Sequence, residues 1–165
     1  MHKVRNRETE MIFAGIGSRE TPDYIQDRAA TLGKELTDRG FFLRSGGERG
    51  FDKAVERLVP SKSKRIFRHH EAELNPEWFE HAKKFHPKWN KLDDIARALH
   101  ARNSPIILGQ DLDERADFIL CWTESGQIKG GTGQGLRIAK ALKIPVFNMA
   151  ISSWERDLEF FLGYF

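Results

Sequence analysis

The stretch of the chain that decides the fold is RSGGERGFD, which spans residues 44–52. It follows the apolar run of residues 41–43 and precedes a segment in which Phe51, Ala54 and Val55 recur at helical spacing. A glycine-rich loop between a strand and a helix lets the backbone approach a ligand closely. The first N–H groups of the helix then point towards that ligand. The stretch therefore predicts a phosphate-binding loop within a strand–loop–helix unit.

Two further stretches follow the same order. The apolar run of residues 11–16 leads into the Gly- and Ser-containing segment 17–22. The apolar run of residues 118–123 is followed by GGTGQG at residues 130–135 and then by a helical segment. Because the carboxyl ends of parallel strands meet at one edge of a sheet, we expect all three loops to lie together there and to form a ligand site.

The rest of the pattern alternates between helices and strands. Thr21 as N-cap and Pro22 at the first helical position predict a helix that ends at Gly40. The other predicted elements are a strand at residues 65–67, a helical insertion at about residues 70–102, a turn into a short strand or extended loop at 103–109, a strand at 144–148 and a helix from 152. The whole chain, residues 1–165, is thus predicted to be a single α/β domain. Its Rossmann-like, mainly parallel sheet has about five strands and is flanked by helices.

Composition places the chain in a broad class. Its 165 residues are 39% hydrophobic and 31% charged, which suits one globular domain. No apolar run approaches the length of a membrane span, and no hydrophobic segment follows the basic leader 1–7, so we expect a cytoplasmic protein with no membrane partner. The net charge of +3 permits an anionic partner, either a nucleotide or a nucleic acid, without choosing between them.

The sequence gives no indication of a metal or a cofactor. The six histidines lack the spacing of zinc ligands, and the single cysteine, Cys121, lies in an apolar strand, which is typical of a core residue. We therefore predict no bound metal, no cofactor and no disulfide.

The three loops resemble those of the SLOG superfamily, whose Rossmann-like members include the Smf/DprA DNA-processing proteins and the LOG phosphoribohydrolases. The matching segments are GIGSR at residues 15–19, SGGERGFD at 45–52 and GGTGQG at 130–135, and they frame residues 11–148. The likeness is greatest to small single-domain members common in bacteriophage genomes. Those members share the helical insertion, an Arg-Asn pair like that at 102–103 and a Cys-Trp-Thr strand end like that at 121–123. The resemblance implies a nucleotide-type ligand at the strand ends.

One departure from the LOG pattern bears on catalysis. LOG enzymes carry Pro-Gly-Gly-x-Gly-Thr-x-x-Glu, and this chain has Lys129, Gln134 and Arg137 where that signature has proline, threonine and glutamate. A guanidinium cannot replace a carboxylate in stabilising a positive ribosyl carbon or in activating water. We therefore assign no catalytic residue and favour binding over LOG-type hydrolysis, although Glu20, Glu48 and Asp52 are carboxylates available near the predicted site.

The predicted ligand-binding residues are Gly17, Ser18, Arg19, Ser45, Gly46, Gly47, Arg49, Asp52, Gly131, Thr132, Gly133 and Gln134. The glycines would supply N–H groups to phosphates, and Arg19 and Arg49 would add charge. Loss of Arg49 should accordingly weaken binding by about tenfold or more. Asp52 either accepts a bond from a ribose hydroxyl or complements the helix dipole. Thr132 and Gln134 would contact a base or a second phosphate.

These features predict a protein that binds and sequesters a small nucleotide-derived ligand, such as an ADP-ribose-type or cyclic nucleotide signal. A phage protein of this kind could act as a sponge against bacterial immune signalling. The alternatives are a LOG-like N-glycosidic hydrolase and DprA-like binding of single-stranded DNA. The chain ends in a cluster of large apolar side chains, namely Phe160, Phe161, Leu162, Tyr164 and Phe165. Exposed apolar patches often mark association, so we predict a homo-oligomer.

Overall fold

A computed structural model describes residues 11–163, so the basic leader, Tyr164 and Phe165 lie outside the described residues. Five strands form one all-parallel sheet in the order β3-β2-β1-β4-β5. The strands are β1 (Ile12–Gly17), β2 (Phe42–Ser45), β3 (Lys64–Ile66), β4 (Phe118–Trp122) and β5 (Val146–Asn148). The predicted Rossmann-like α/β fold is confirmed, with every strand pair parallel.

Seven α-helices flank this sheet within the described residues. They are α1 (Asp23–Asp38), α2 (Phe51–Glu56), α3 (Pro76–Lys83), α4 (Asp94–Ala101), α5 (Asn103–Leu108), α6 (Gly130–Ala141) and α7 (Trp154–Leu162). Short 3₁₀ helices lie at Ser61–Ser63, His69–Leu74, Trp89–Lys91 and Glu124–Gly126. None of the helices between residues 11 and 163 is both long and apolar enough to cross a membrane.

The order of the strands creates a crevice at the centre of the sheet. The chain runs outwards from β1 to β2 and β3, then returns across the sheet to place β4 and β5 on the other side of β1. At this reversal, the loops that follow β1 and β4 leave in opposite directions. The carboxyl ends of these two strands therefore border an opening to which the surrounding loops contribute.

Each face of the sheet has its own apolar core. Ile12 and Ala14 belong to the core that packs against the inserted helices and α6, whereas Phe13 belongs to the core formed with α1, α2 and α7. Because successive side chains of a strand point to opposite faces, burial on both faces requires the continuous apolar run seen in β1. Gly33 allows α1 to lie close to α2, since a Cβ there would collide with the carbonyl oxygen of Val55.

The structure corrects three local predictions. Residues 130–135, predicted as a glycine-rich loop before a helix, form the first half of helix α6. Residues 103–109 form helix α5 and its end rather than a turn into a strand, and all six residues of α5 are buried. A short apolar run has no periodicity that separates a buried strand from a buried helix, and Pro105 is tolerated because it lies in the first turn. Helix α1 begins at Asp23, one residue later than predicted, and the hydroxyl of Thr21 donates to the carbonyl oxygen of Ser18 instead of capping the helix.

Helix α7 is only partly buried. Leu158 of α7 is buried, and the ring of Phe161 lies against those of Phe118 and Phe147. Phe160 remains 73% exposed. The predicted homo-oligomer stays a prediction.

Candidate ligand-binding cleft

A cleft of about 570 Å³ opens at the carboxyl ends of β1 and β4. Its walls come from parts of residues 16–20, 96–103 and 123–132, together with Glu48 and Asp52. We call residues 17–22, after β1, the first loop, and residues 45–50, after β2, the second loop. The first loop, the start of α6 and the junction of α4 with α5 thus surround one space at the predicted edge of the sheet.

Half of the predicted ligand-binding residues line this cleft. They are Gly17, Ser18, Arg19, Asp52, Gly131 and Thr132. The other six lie outside the lining: Ser45, Gly46, Gly47, Arg49, Gly133 and Gln134. The structure therefore brings together the first loop and the start of α6, but it does not bring the glycines of the second loop to the same surface.

The second loop is packed against the protein itself. The hydroxyl of Ser45 donates to the carbonyl oxygen of Gly15 at 2.6 Å. A Cβ at Gly47 would collide with the guanidinium of Arg68, and a Cβ at Gly50 would collide with the backbone of the first loop. The glycines thus permit close approach of other protein segments rather than of a ligand. Arg49 is exposed and does not line the cleft.

Gln134 is bonded to other protein groups and does not line the cleft. The residue is fully buried, its Nε2 donates to the carbonyl oxygen of Ala82 at 2.9 Å, and its Oε1 accepts from Arg137 at 2.8 Å. The amide ties α6 to α3. Since both of its polar groups are bonded to protein, the structure does not support the predicted contact with a base or phosphate. Gly133, in the same turn, donates its N–H to the carbonyl oxygen of Lys129.

Asp52 occupies the place where the sequence predicted a ligand. Its Oδ1 accepts from the N–H of Gly17 at 3.0 Å, and its Oδ2 accepts from the N–H of Glu48 at 3.4 Å. The group held by these two loops is therefore the protein's own carboxyl group rather than a ligand. Burial raises the pKa of Asp52 to about 7, against the opposing effects of Arg102 and the two N–H donors.

Arg102, at the end of α4, is a cleft residue that the sequence analysis did not assign to the site. Its side chain is 8% exposed, and its Nη1 donates to the carbonyl oxygen of Gly46 at 2.7 Å. Its Nη2 donates to Oε1 of Glu48 at 2.9 Å. The Nε is buried and has no hydrogen-bond partner among the described residues. The available signal was the Arg-Asn pair at residues 102–103, in which Asn103 donates to the carbonyl oxygen of Gly131.

The cations that line the cleft are each paired with a carboxylate. Arg102 and Arg19 both donate to Glu48, the latter at 3.3 Å, and Lys129 lies 3.7 Å from Glu124. Burial alone would raise the pKa of Glu48, but the hydrogen bond and charge of Arg102 outweigh it and lower that pKa. With the carboxylates of Glu20 and Asp52 included, the lining is not a positively charged groove.

The wall provided by α4 combines two apolar side chains with a histidine. It consists of Ala96, Leu99 and His100, and Ile16 of β1 lies in the same lining. Burial lowers the pKa of His100 to about 4, and the charges of His86, Arg137 and Arg102 contribute. His100 is therefore neutral near pH 7, and its buried Nδ1 has no hydrogen-bond partner within residues 11–163.

The start of α6 faces open space. A Cβ placed at Gly130 or Gly131 would meet no atom within 4 Å. The helix has no side-chain cap at Lys129, and the first N–H groups of a helix have no intrahelical acceptor. This part of the cleft can accommodate an anion. Across residues 11–163, no group of three or more His, Cys, Asp or Glu side chains could hold a metal ion.

The strand order, the reversal at β1 and the cleft define a Rossmann-like α/β protein with a cleft at the carboxyl ends of its strands. The fold is similar to that of DNA processing protein A from Helicobacter pylori, whose structure describes a unique mode of binding single-stranded DNA. The TM-score is 0.60 at 18% sequence identity, and the match covers 96% of this chain and 75% of that one. No protein-family model and no curated protein sequence matches the chain.

Proposed function

We propose that the chain binds a small nucleotide-derived ligand in the cleft between the first loop, α4 and the start of α6. The observation that carries this proposal is the internal pairing of the cleft's cations with Glu48 and Glu124. The volume of about 570 Å³ is within the range of about 300–1,000 Å³ usual for small-molecule sites.

The charge distribution favours a ligand with few phosphates. Proteins that bind single strands without sequence preference use a positively charged groove along the backbone and release counterions. In this cleft, each added phosphate would have to compete with a carboxylate for Arg19, Arg102 or Lys129. A nucleotide with one or two phosphates can place them at Gly130 and Gly131, while its hydroxyls meet the carboxylates.

We further propose that the ligand is held intact. Arg137, at the position of the LOG glutamate, donates through Nε to the carbonyl oxygen of Phe85 at 2.9 Å and is not part of the cleft lining. Helix α6 therefore presents no carboxylate from this position to the cleft. Together with the resemblance to phage members, this supports sequestration of an ADP-ribose-type or cyclic nucleotide signal.

Single-stranded DNA is the second candidate, favoured by the ligand of the structural neighbour. The exposed residues Arg49 and Arg68 add positive charge near Glu48, outside the cleft lining. A strand could follow this exposed side and leave only one nucleotide in the cleft.

The experiment that tests the proposal is incubation of the purified chain with AMP, ADP-ribose and 3′,5′-cyclic AMP. The washed protein is then denatured, and the released molecules are identified by mass spectrometry. Release of an intact nucleotide, near one per chain, is the expected result. Free base or ribose phosphate would indicate a hydrolase, and release of no nucleotide would contradict the proposal.

A further inference from the structure

Thr123 follows β4 and lines the cleft, where Asn148 of β5 holds it through two hydrogen bonds. The N–H of Thr123 donates to Oδ1 of Asn148 at 3.3 Å, and Nδ2 of Asn148 donates to Oγ1 of Thr123 at 2.7 Å. Thr123 is 3% exposed and Asn148 is 6% exposed. Neither side chain belongs to the predicted site.

The orientation of the Asn148 amide is determined by its neighbours. Two backbone N–H groups, those of Thr123 and Ala150, converge on the same atom, Oδ1, the second at 3.0 Å. Only the carbonyl oxygen of an amide can accept both bonds, so the NH₂ group must be the one that faces the hydroxyl of Thr123.

This orientation makes the Thr123 hydroxyl an acceptor towards Asn148 and a donor in another direction. Because Oγ1 accepts from an NH₂ group, the hydroxyl hydrogen must point elsewhere, and a hydroxyl carries one hydrogen to donate. Among residues 11–163, the hydrogen bonds of Thr123 include no acceptor for that hydrogen, and the residue borders the cleft. Arg102 Nε is a second buried donor of the cleft lining without an acceptor in the same part of the chain.

We infer that the Thr123 hydroxyl donates a hydrogen bond to the bound ligand, and that Asn148 is a positioning residue that fixes the direction of this bond. The inference rests on the proposed function and names the ligand atom by its chemistry. That atom is a hydrogen-bond acceptor, such as a phosphate oxygen, a base carbonyl or a ring nitrogen. An amino group at this position is disfavoured, because it would meet a donor.

The first test measures binding of AMP and ADP-ribose by calorimetry to the wild-type chain, Thr123→Val and Thr123→Ser. Valine keeps the shape of threonine without the hydroxyl, so it should weaken binding of the preferred probe by about tenfold. Serine keeps the hydroxyl and should bind within about threefold of the wild type, and thermal unfolding shows whether each variant is folded. Wild-type affinity in Thr123→Val overturns the inference.

The second test isolates Asn148. In Asn148→Asp, one carboxylate oxygen can still accept the two backbone N–H groups, while the other accepts the hydroxyl hydrogen of Thr123 and turns it away from the ligand. We expect a loss of about tenfold, equal to that of Thr123→Val. In the double variant, the aspartate should cause no further loss, because the hydroxyl through which Asn148 acts is gone.

The outcomes separate the two proposals. A further tenfold loss in the double variant would assign the effect of Asn148→Asp to its added charge and overturn the positioning role. If the wild type binds a probe and Thr123→Val binds it equally well, this inference is overturned but the proposed function is not. Failure of the wild type to bind either probe overturns the proposed function, and this inference with it.

Discussion

Glu48 Oε1 lies 2.9 Å from Nη2 of Arg102, a contact that joins the second loop to the junction of α4 and α5 across 54 residues of sequence. The other oxygen of Glu48 accepts from Arg19 of the first loop. One carboxylate therefore bridges two arginines beside the cleft. This arrangement neutralises charge within the protein, so the proposed ligand would be recognised by hydrogen-bond geometry rather than by net charge.

Replacement of Arg102 by alanine should weaken nucleotide binding by about tenfold or more. It should also lower the free energy of unfolding by about 3 kcal/mol, because the carbonyl of Gly46 and the carboxylate of Glu48 lose buried donors. Calorimetry and denaturant unfolding measure the two effects. The matched control is Arg49→Ala, which removes an exposed arginine and should leave both unchanged. The sequence predicted that loss of Arg49 would weaken binding. A larger loss of affinity in Arg49→Ala than in Arg102→Ala would contradict the role that the structure gives Arg102.

Substitution of Gly131 by alanine should separate binding from stability. The added methyl group meets no protein atom within 4 Å, and alanine is favoured over glycine in helices by about 0.5–1 kcal/mol. We therefore expect unchanged or higher thermal stability together with binding that is weaker by about tenfold, since the methyl group occupies space next to the helix N–H groups. In Gly17→Ala, by contrast, the methyl group collides with the ring of Phe51 and should lower stability. Undiminished binding by Gly131→Ala would place the ligand elsewhere.

The stability of the chain should depend on pH through Asp52. Burial raises its pKa to about 7 in the folded protein, from 3.8 in the unfolded chain. Between these values the folded state holds a proton that the unfolded state has lost, so stability falls as pH rises from about 4 to above 7. Compared with Asp52→Asn, which has no such proton, the wild type should lose a few kcal/mol over this range. Parallel pH profiles of unfolding free energy for the two proteins would exclude this effect.

His100 should produce the opposite dependence. Burial lowers its pKa to about 4, so the unfolded chain binds a proton that the folded chain does not between about pH 6.5 and 4. Stability from this group is therefore present above pH 6.5 and is lost as pH falls. As pH falls from about 6.5 to 4, the unfolding free energy of the wild type should therefore fall relative to that of His100→Gln, and above pH 7 the difference between the two proteins should be constant. A variant profile that superimposes on the wild type below pH 6 would contradict the assignment.

Much of the fold could be predicted from local pattern. The runs that form β1 and β4 are apolar on both faces of the sheet, which is typical of buried parallel strands, and each is followed by a loop of small polar residues. The segment at residues 130–135 was predicted to lie at the same edge of the sheet, although as a loop rather than as the start of α6. These features are formed by residues that are close together in the sequence, so they can be recognised from the sequence alone.

The roles of the second loop could not be predicted in this way. A glycine next to empty space and a glycine next to another chain segment look identical in sequence. Gly47 lies against Arg68, and Gly46 accepts a hydrogen bond from Arg102, more than fifty residues away. The acceptor predicted for ribose, Asp52, is likewise bonded to the N–H of Gly17. Long-range packing therefore decided which of the glycine-rich loops is free to meet a ligand.

The most direct test of the central claim is a titration of the wild-type chain with ADP-ribose, AMP and an oligothymidylate at low and high salt. We predict saturable binding of a nucleotide at one per chain, with an affinity that changes little with salt because the cleft's cations are already paired. Binding of the oligothymidylate alone, rising with its length and falling with salt by a slope of about −0.7 per contacted phosphate, would contradict the account.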